Sequence, residues 1–414
     1  MNITDVDDKT IRDSKIQFKE LSKTPNFMLK SFTDKYTKYF LEDLKLMNIE
    51  KPKIMPNATD SIKEMEFLIQ RLFEKNYAYI GEDGIYFDIS KSKNYGQLVN
   101  LDLSKQKYNK ENRLISDEYD KDNTADFALW KFKKEEDEPS WIIKIDNKDY
   151  EGRPGWHIEC SAMSYKYLGK KFDIHTGGVD LKFPHHENEI CQSCHALDVD
   201  NQANFWMHNE HLLVDGKKMS KSLGNFYTLR DIIQKGYEPL ALRELYLRSN
   251  YRQQVNFTME SLEAGSNNIK KIEDFYFKFK SMKSDSKEKD NNILNIYSKY
   301  IEGFENAMKD DLNTPIAMSN LYEFMNEINR IKTYSLEDIK LIIEFIERVD
   351  RIFAIVKRES EIPKEIIDIA KRRKKARDDK IWDLSDKLRD ELKEKGYEIK
   401  DSKDSKEGFI LTKL

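Results

Sequence analysis

Apolar residues recur at helical spacing in two early stretches of the chain. In residues 12–48 and 58–78 they return every three or four positions, as the buried face of an amphipathic helix requires. Pro52 and Pro56 separate the two stretches. The clearest of these positions are Phe27, Leu29, Phe32, Tyr36, Phe40, Leu44, Ile62, Met65, Leu68, Ile69 and Leu72. We therefore predict helices in both stretches.

Short runs of β-branched and aromatic residues follow. Residues 78–80 and 85–89 flank a turn with Gly81 and Gly84, which indicates a hairpin. Residues 127–132 and 141–145 are typical of further strands, and the polar residues 104–125 are predicted to form an exposed loop.

Helical and strand patterns alternate over residues 160–214. The pattern predicts a helix over 160–167, a buried strand over 171–175, a helix over 185–197 and a strand region over 205–214. Gly177 and Gly178 follow the buried strand, and ligands of parallel sheets bind where strands end. Two glycines there would let a nucleotide approach the backbone. The predicted fold class is α/β.

The second half of the chain is predicted to be mainly helical. A helix bundle is expected over 229–353, with a charged linker at 280–292. Residues 364–414 form a separate small unit, with a basic helix around 371–377, a helix over 382–395 and a final strand at 409–411.

The composition limits the classes of protein to which the chain can belong. The chain has 414 residues, a formal net charge of -4 and 39% hydrophobic residues, and no apolar run approaches the ~18 residues of a membrane helix. Three cysteines are too few for a disulfide framework, which favours a reducing cytoplasm. No secretory signal is visible at Met1. Because the net charge is slightly negative, polyanions would have to bind at local basic patches.

Cys160, His185 and Glu189 form a candidate metal site. A thiolate, an imidazole and a carboxylate suit Zn²⁺ and leave one coordination position open. His186 or Cys191 could replace one of them, and a buried structural cysteine beside a surface histidine pair is the alternative that spacing leaves open. Cys191-Gln192-Ser193-Cys194-His195 also matches a haem attachment pattern. Two helix-facing cysteines explain that match better, because haem attachment requires export.

Two basic stretches are candidate phosphate sites. Lys218-Met219-Ser220-Lys221-Ser222 lies between Gly216 and Gly224 and could neutralise charge on a departing phosphate. Residues 372–377 could grip phosphates, with Trp382 as a stacking surface for a base. A solvated basic segment is the alternative in both cases. The first loop directly follows a nucleotide-type α/β region, which favours phosphate binding, whereas composition alone favours a solvated helix face for the second.

Several motifs resemble one enzyme family. Lys-Met-Ser-Lys-Ser at 218–222 is similar to the second signature of class I aminoacyl-tRNA synthetases. Gly-Arg-Pro-Gly-Trp-His-Ile-Glu-Cys at 152–160 and Phe-Pro-His-His-Glu-Asn-Glu at 183–189 resemble the cysteinyl-tRNA synthetases. Asp-Asp-Leu-Asn-Thr-Pro at 310–315 and residues 372–390 resemble that family's anticodon-side domain and C-terminal unit. The likeness spans residues 2–411. It implies ATP-dependent ligation of cysteine to cysteine tRNA through a cysteinyl adenylate.

The resemblance implies a role for individual residues. In the family, positions matching Cys160, His185 and Glu189 hold a zinc ion that ligates the substrate thiol, and Thr4 and Trp156 match the walls of the amino-acid pocket. The implied ATP-binding residues are His175, Gly177, Gly178, Asp180 and Lys221. Lys218 and Lys221 are the implied catalytic residues. The implied anticodon-reading residues are Arg377, Trp382 and Asp386.

The resemblance also implies domains and partners. It predicts a Rossmann-like class I catalytic domain, N-terminally incomplete, over 1–228 with an insertion at about 75–150. A helical stem-contact region (229–292), a helical anticodon-side domain of the DALR type (293–360) and a C-terminal anticodon-recognition module (364–414) follow. The expected partners are cysteine, cysteine tRNA and ATP with Mg²⁺, for a monomer that contacts no membrane.

The opening of the chain departs from the family's pattern. The family begins with a strand, a Cys-Gly-Pro segment that supplies a fourth zinc ligand, and a His-x-Gly-His helix start that holds the ATP phosphates, and none of these occurs here. We expect that the sequence is either a fragment or comes from a lineage that has lost half of its active site. We also expect that this chain alone does not support cysteine-dependent ATP–pyrophosphate exchange until such a segment is supplied.

Two other functions stay open at this point. One is a non-catalytic tRNA-binding remnant of such an enzyme. The other is a ligase that joins cysteine to an amino sugar in mycothiol synthesis, which resembles the catalytic half but should lack the 364–414 module.

Overall fold

The fold is taken from a computed structural model. It describes residues 1–19, 23–100, 126–220, 223–284, 291–356, 364–402 and 407–413. The chain divides into two compact units, one formed by 1–45 with 50–211 and the other by 46–49 with 212–414. The predicted loop at 104–125, part of the predicted linker at 280–292, and Lys221 lie outside the described residues. The domain limits predicted above stay predictions.

Helices and strands alternate in the first unit, whereas helices dominate the second. The helices are α1 (Asp8–Gln17), α2 (Pro25–Leu46), α3 (Ile62–Glu74), α4 (Trp156–Leu168), α5 (Glu187–Leu197), α6 (Leu229–Gln234), α7 (Pro239–Leu247), α8 (Met259–Ser281), α9 (Asn291–Lys309), α10 (Thr314–Asn329), α11 (Leu336–Phe353), α12 (Lys364–Asp378) and α13 (Trp382–Glu394). The strands are β1 (Ala78–Ile80), β2 (Gly84–Phe87), β3 (Phe127–Phe132), β4 (Trp141–Ile145), β5 (Lys148–Pro154), β6 (Phe172–Gly178), β7 (Ala203–Asn209), β8 (Leu212–Val214), β9 (Lys217–Lys218), β10 (Val255–Phe257), β11 (Tyr397–Asp401) and β12 (Phe409–Lys413).

The first helical stretch is two helices, not the single run predicted over 12–48. Asp7 starts α1 by accepting a hydrogen bond from the backbone N–H of Thr10 at 2.5 Å. Pro25 then begins α2, at the helix position where a missing N–H costs nothing. The second predicted stretch is α3, whose buried residues Met65, Leu68, Ile69 and Leu72 are the predicted ones.

A five-stranded antiparallel sheet forms most of the remainder of the first unit. Its order is β1-β2-β3-β5-β4, and the predicted hairpin of β1 and β2 is confirmed. Strand β5 was not predicted, because its polar residues 148–151 hide the alternation that marks a strand. The sheet and helices α3, α4 and α5 enclose one apolar core.

A parallel pair follows the sheet. Strands β6 and β7 pair in parallel with α5 between them in the chain, the βαβ arrangement that the predicted α/β class requires. The prediction that the strand at 171–175 is buried was wrong: Ile174 is 54% exposed. Among the described residues β6 pairs with β7 alone, so its other edge carries no strand partner there.

The second unit contains the predicted helix bundle. Strands β8, β9 and β10 form a small sheet in which β10 pairs in parallel with β8. The bundle core includes the stacked rings of Phe324 and Phe345, whose centroids lie 3.7 Å apart. Strand β10 was not predicted, since three residues within a helical region carry too short a pattern.

Residues 364–414 carry a small core of their own. Helices α12 and α13 pack together, and α13 packs against β11 of the two-stranded antiparallel sheet β11–β12. The helices and the last strand were predicted, and β11 was not. Within the described ranges, no helix combines the length and the apolar character needed to cross a bilayer.

Gly155 controls how closely α4 approaches the antiparallel sheet. A Cβ atom at this position would lie 1.9 Å from the carbonyl oxygen of Ala128 in β3. We predict that Gly155→Ala lowers the urea midpoint of unfolding, because β3 and the start of α4 must separate. The matched control is Gly169→Ala, which meets no atom within 4 Å and costs only the ~1–3 kcal/mol of a backbone conformation (φ 89°, ψ −168°) that glycine favours. If Gly155→Ala lowers the urea midpoint no more than Gly169→Ala does, the close contact with β3 is not what the glycine provides.

Candidate metal and substrate site

Helix α4 supplies the thiol of the site. It begins at Trp156 directly after β5, and its first two turns hold Trp156, His157 and Cys160. Cys160 and His157 are buried. The helix starts four residues earlier than predicted, so these three side chains share one rigid element.

Helix α5 supplies the carboxylate, and the turn before it supplies the imidazole. The predicted helix over 185–197 begins at Glu187, and residues 182–186 form an irregular turn. His185 nevertheless reaches Glu189, with Nε2 lying 3.0 Å from Oε1. The helical spacing of four residues therefore brought the pair together as predicted, although His185 precedes the helix.

The structure brings Cys160, His185 and Glu189 together. Their ligand atoms all lie within 4.8 Å of one another, and all three residues are buried. His175, His186 and Glu189 form a second set of the same kind that shares the carboxylate. His175 Nε2 lies 3.2 Å from Glu189 Oε1, whereas His186 Nε2 lies 3.9 Å away.

The electrostatics of the site centre on Glu189. Burial alone would raise the pKa of this carboxyl, but His175 and His185, through charge and hydrogen bonds, hold it well below its ordinary value. Burial, together with the charge of Glu189, raises the pKa of the Cys160 thiol well above its ordinary value. Burial also lowers the pKa of His186 to about 3. The site thus holds a buried carboxylate beside a thiol that needs a cation in order to ionise.

These residues fit a zinc ion. Glu189 Oε2 is buried and has no hydrogen-bond partner among the described residues. A buried carboxylate oxygen without a donor is costly, and a metal ion would satisfy it. A thiolate, an imidazole and a carboxylate are also ligand types that zinc accepts.

Three residues near the site were missed in the sequence. His157 Nδ1 lies 2.8 Å from His185 Nδ1, and His186 Nδ1 lies 2.8 Å from His208 Nε2. The Asn2 side chain hydrogen-bonds to Cys160. His157 lies inside the Gly152–Cys160 motif and could have been found there, whereas Asn2 and His208 are brought in only by strand pairing.

The two alternative metal ligands, Cys191 and His186, have different surroundings. Cys191 Sγ lies 3.3 Å from Ser92 Oγ and belongs to neither ligand set, whereas His186 belongs to the second one. His195 stacks on Tyr77 with ring centroids 3.9 Å apart, and its Nε2 lies 3.0 Å from Ser92 Oγ. Cys191 and His195 therefore act as packing residues of α5.

The predicted pocket residues Thr4 and Trp156 and the predicted ATP residue His175 belong to the first unit. The Trp156 ring centroid is 4.3 Å from that of His185, and Thr4 is exposed, next to the bridge that pairs Ile3 with Asn57. His175 contacts Glu189, as described above. Their roles in substrate binding stay predictions.

The two glycines of β6 have a packing reason as well. A Cβ atom on Gly177 would lie 2.8 Å from the His186 ring, and one on Gly178 would lie 2.4 Å from Asp180 Oδ1. Asp180 itself is exposed in the short turn after β6. The glycines therefore keep the histidine cluster and this turn close to the strand, whether or not a nucleotide binds here.

The predicted phosphate loop lies in the second unit. Lys218 is exposed in β9, and Lys221 and Ser222 are outside the described residues. Asn225 holds the ends of the loop, since its Nδ2 donates to the carbonyl of Lys218 and its Oδ1 accepts from the N–H of Ser220. The catalytic roles of Lys218 and Lys221 stay predictions.

The predicted anticodon residues share one surface of the C-terminal module. The Arg377 guanidinium lies 5.8 Å from the ring centroid of Trp382, which is 55% exposed. Asp386 follows Trp382 by one helical turn and pairs with Arg389 at 3.3 Å. An exposed tryptophan beside a guanidinium is a surface on which a base can stack.

Comparison with known proteins defines first the class and then the family. Residues 1–267 match the catalytic domain of class I (C) tRNA synthetases, and residues 303–357 match the DALR domain. A Campylobacter jejuni structure described provisionally as an arginyl-tRNA synthetase is similar in fold, with a TM-score of 0.50 and 15% identity over 84% of this chain and 74% of that one.

Relatives in sequence identify the family. The cysteine–tRNA ligase of Brachyspira hyodysenteriae is 41% identical over 97% of this chain and 84% of its own length. Those of Leptospira interrogans and Chlamydia pneumoniae are 42% and 40% identical over 98% and 97% of this chain, and each is covered over 84% of its length. The chain belongs to the cysteine–tRNA ligase family of class I tRNA synthetases. The resemblance to the cysteinyl-tRNA synthetases and the α/β class I fold, both predicted from the motifs, are confirmed.

Proposed function

We propose that this protein ligates cysteine to cysteine tRNA at the expense of ATP, and that Cys160, His185 and Glu189 hold a zinc ion which selects the cysteine thiol. The observation that carries this proposal is the convergence of three buried ligand atoms within 4.8 Å on a carboxylate with an unpartnered oxygen. Zinc binds thiolate in preference to a hydroxyl, so the pocket rejects serine without a second, hydrolytic site.

The proposed reaction has two steps. The carboxylate of cysteine attacks the α-phosphate of ATP, and pyrophosphate leaves. A terminal ribose hydroxyl of the tRNA then takes the aminoacyl group, and AMP leaves. Lys218 and Lys221 supply positive charge to the phosphates, and His175, Gly177, Gly178 and Asp180 line the adenosine position. Positioning and charge stabilisation account for most of such catalysis.

The neighbouring side chains orient the ligands. His157 Nδ1 contacts His185 Nδ1, which leaves His185 Nε2 directed to the site, and His175 holds Glu189 Oε1. Trp156 covers the His185 ring and, with Thr4, lines the amino-acid pocket. A bound zinc ion supplies the position that takes the substrate thiol. We further propose that Mg²⁺ accompanies ATP, that the protein is a monomer and that it works in the cytoplasm.

The ligand set is tested by metal analysis. We predict one zinc per chain, lost from Cys160→Ala and retained by Cys191→Ala, since Cys191 contacts Ser92 and not the ligand set. Inductively coupled plasma analysis after gel filtration into metal-free buffer measures the zinc content. Equal retention by both variants would show that Cys160 is not a ligand.

Thiol selection is tested with cobalt in place of zinc. We predict that cysteine increases the near-ultraviolet thiolate-to-cobalt absorption of the substituted protein and that serine does not, because only the thiolate adds a sulfur ligand. Alanine is the control for the shared amino-acid backbone. An equal response to cysteine and serine would contradict the proposed selection.

The C-terminal module is tested through Trp382. We predict that Trp382→Ala weakens binding of cysteine tRNA by ~1–3 kcal/mol, the value of one stacked base, and weakens binding of a tRNA with a different anticodon much less. Leu384→Ala, also an exposed apolar residue of α13, is the matched control. Filter binding measures both. Equal weakening for the two tRNAs would reduce the module to a general phosphate contact.

A further inference from the structure

Glu189 belongs to two groups of metal-ligating side chains, and the proposed zinc ion uses only one of them. The zinc set is Cys160, His185 and Glu189. The histidine set is His175, His186 and Glu189, and its ligand atoms also lie within 4.8 Å of one another. His186 and Glu189 are buried, whereas the His175 side chain is 15% exposed. An ion can therefore reach the histidine set from solvent past His175.

The two sets hold one of their histidines in the same way. In the zinc set, His185 Nδ1 lies 2.8 Å from His157 Nδ1, and His185 Nε2 lies 3.0 Å from Glu189 Oε1. In the histidine set, His186 Nδ1 lies 2.8 Å from His208 Nε2, and His186 Nε2 lies 3.9 Å from the same Glu189 oxygen. A metal-ligating histidine almost always has its other ring nitrogen engaged by a neighbouring group, which fixes the ring orientation. Each set therefore presents an oriented imidazole nitrogen to Glu189.

The spacing within the histidine set is that of ligands around one ion. Bonds of about 2.0–2.1 Å from zinc to nitrogen and oxygen place neighbouring ligand atoms of a tetrahedron about 3.3 Å apart. His175 Nε2 lies 3.2 Å from Glu189 Oε1, and His186 Nε2 lies 3.9 Å from it, so only the second ring has to shift. Trp206 packs against both rings, with centroids 4.8 and 5.1 Å from those of His175 and His186. This packing keeps the two imidazoles side by side.

A single ion cannot use both sets. Zinc takes about four ligands, and the zinc set with the substrate thiol already supplies that number. His175 and His186 are therefore left for another ion. Glu189 can serve both ions, because a carboxylate offers two oxygens, and its Oε2 has no hydrogen-bond partner among the described residues.

We propose that His175, His186 and Glu189 bind a second divalent transition-metal ion, which shares Glu189 with the zinc ion. Two imidazoles and one carboxylate suit Zn²⁺, Co²⁺ or Ni²⁺, whereas Mg²⁺ and Ca²⁺ prefer oxygen ligands. The second ion binds more weakly than the first, because this set lacks a thiolate and the two cations repel each other. It also occupies the His175 nitrogen and so withdraws that side chain from the nucleotide, a consequence that rests on the proposed function.

Cobalt titrated into the zinc-loaded protein tests the second site. We expect one further equivalent, seen as visible ligand-field absorption without near-ultraviolet thiolate-to-cobalt absorption, and unaffected by excess Mg²⁺. His186→Ala is expected to lose this uptake, and so is His175→Ala, a second variant at a partly exposed position. His211→Ala is the matched control, since His211 is exposed and belongs to neither set.

Three results would overturn the second site. The first is a zinc-loaded wild-type protein that takes up no cobalt. The second is cobalt with thiolate absorption, because that ion has replaced zinc at Cys160. The third is uptake that either His175→Ala or His186→Ala retains, or that His211→Ala loses equally, because the ion is then bound elsewhere.

The effect on the nucleotide is measured with adenosine, which carries no phosphates to chelate cobalt. In equilibrium dialysis, we expect the second ion to weaken adenosine binding several-fold in the wild type and in His211→Ala, and to leave it unchanged in His186→Ala. Equal adenosine binding with and without cobalt, including none in either case, would remove this consequence and leave the metal site standing. The proposed function is judged separately, by the thiolate absorption with cysteine and serine, to which the second ion contributes nothing.

Discussion

The buried carboxylate of Glu189 is the group on which the arrangement of the first unit depends. It lies without solvent contact in α5, and the nitrogens of His175 and His185 approach one of its oxygens within 3.2 Å. Its other oxygen has no donor among the described residues. Carrying a negative charge into this interior is unfavourable unless a positive charge accompanies it. The thiol of Cys160 adds to that need, since it ionises only when a cation is present.

The surrounding fold keeps these groups at contact distance. Gly152 and Gly155 allow β5 and the start of α4 to touch β3, because a Cβ on either would lie within 2.1 Å of a carbonyl oxygen. Gly177 does the same for β6 against the His186 ring. Strand β5 and helix α4 thus approach β3, and β6 approaches the His186 ring, more closely than a larger residue at these positions would permit. The motif glycines serve packing first, and the site depends on that packing.

Much of the site was predictable from sequence because its ligands are close along the chain. The spacing of His185 and Glu189 placed them on one side of a turn, and the motif around Cys160 contained Trp156 and His157 as well. What could not be predicted came from long-range pairing. Asn2 reaches Cys160 because Ile3 bridges to Asn57, and His208 reaches His186 because β7 pairs with β6.

For the fold as for the site, local features were predictable from sequence and features set by long-range pairing were not. Amphipathic helices such as α3 and α11 were visible in their apolar spacing, whereas β5 and β10 were not, since one is polar and the other has three residues. The exposed Ile174 was expected inside because parallel strands are usually covered on both faces. The sequence pattern shows which side chains a helix or strand buries. It does not show which strands pair with one another, and that pairing determines the rest of the fold.

X-ray absorption at the zinc edge shows whether Cys160 and the substrate thiol both bind zinc, because it counts the sulfur ligands of the metal. We expect one sulfur at about 2.3 Å in the free protein, contributed by Cys160. We expect two sulfur ligands after cysteine is added and still one after serine is added. A sulfur count that stays the same with cysteine, or that is zero before any substrate is present, would contradict the proposed zinc site.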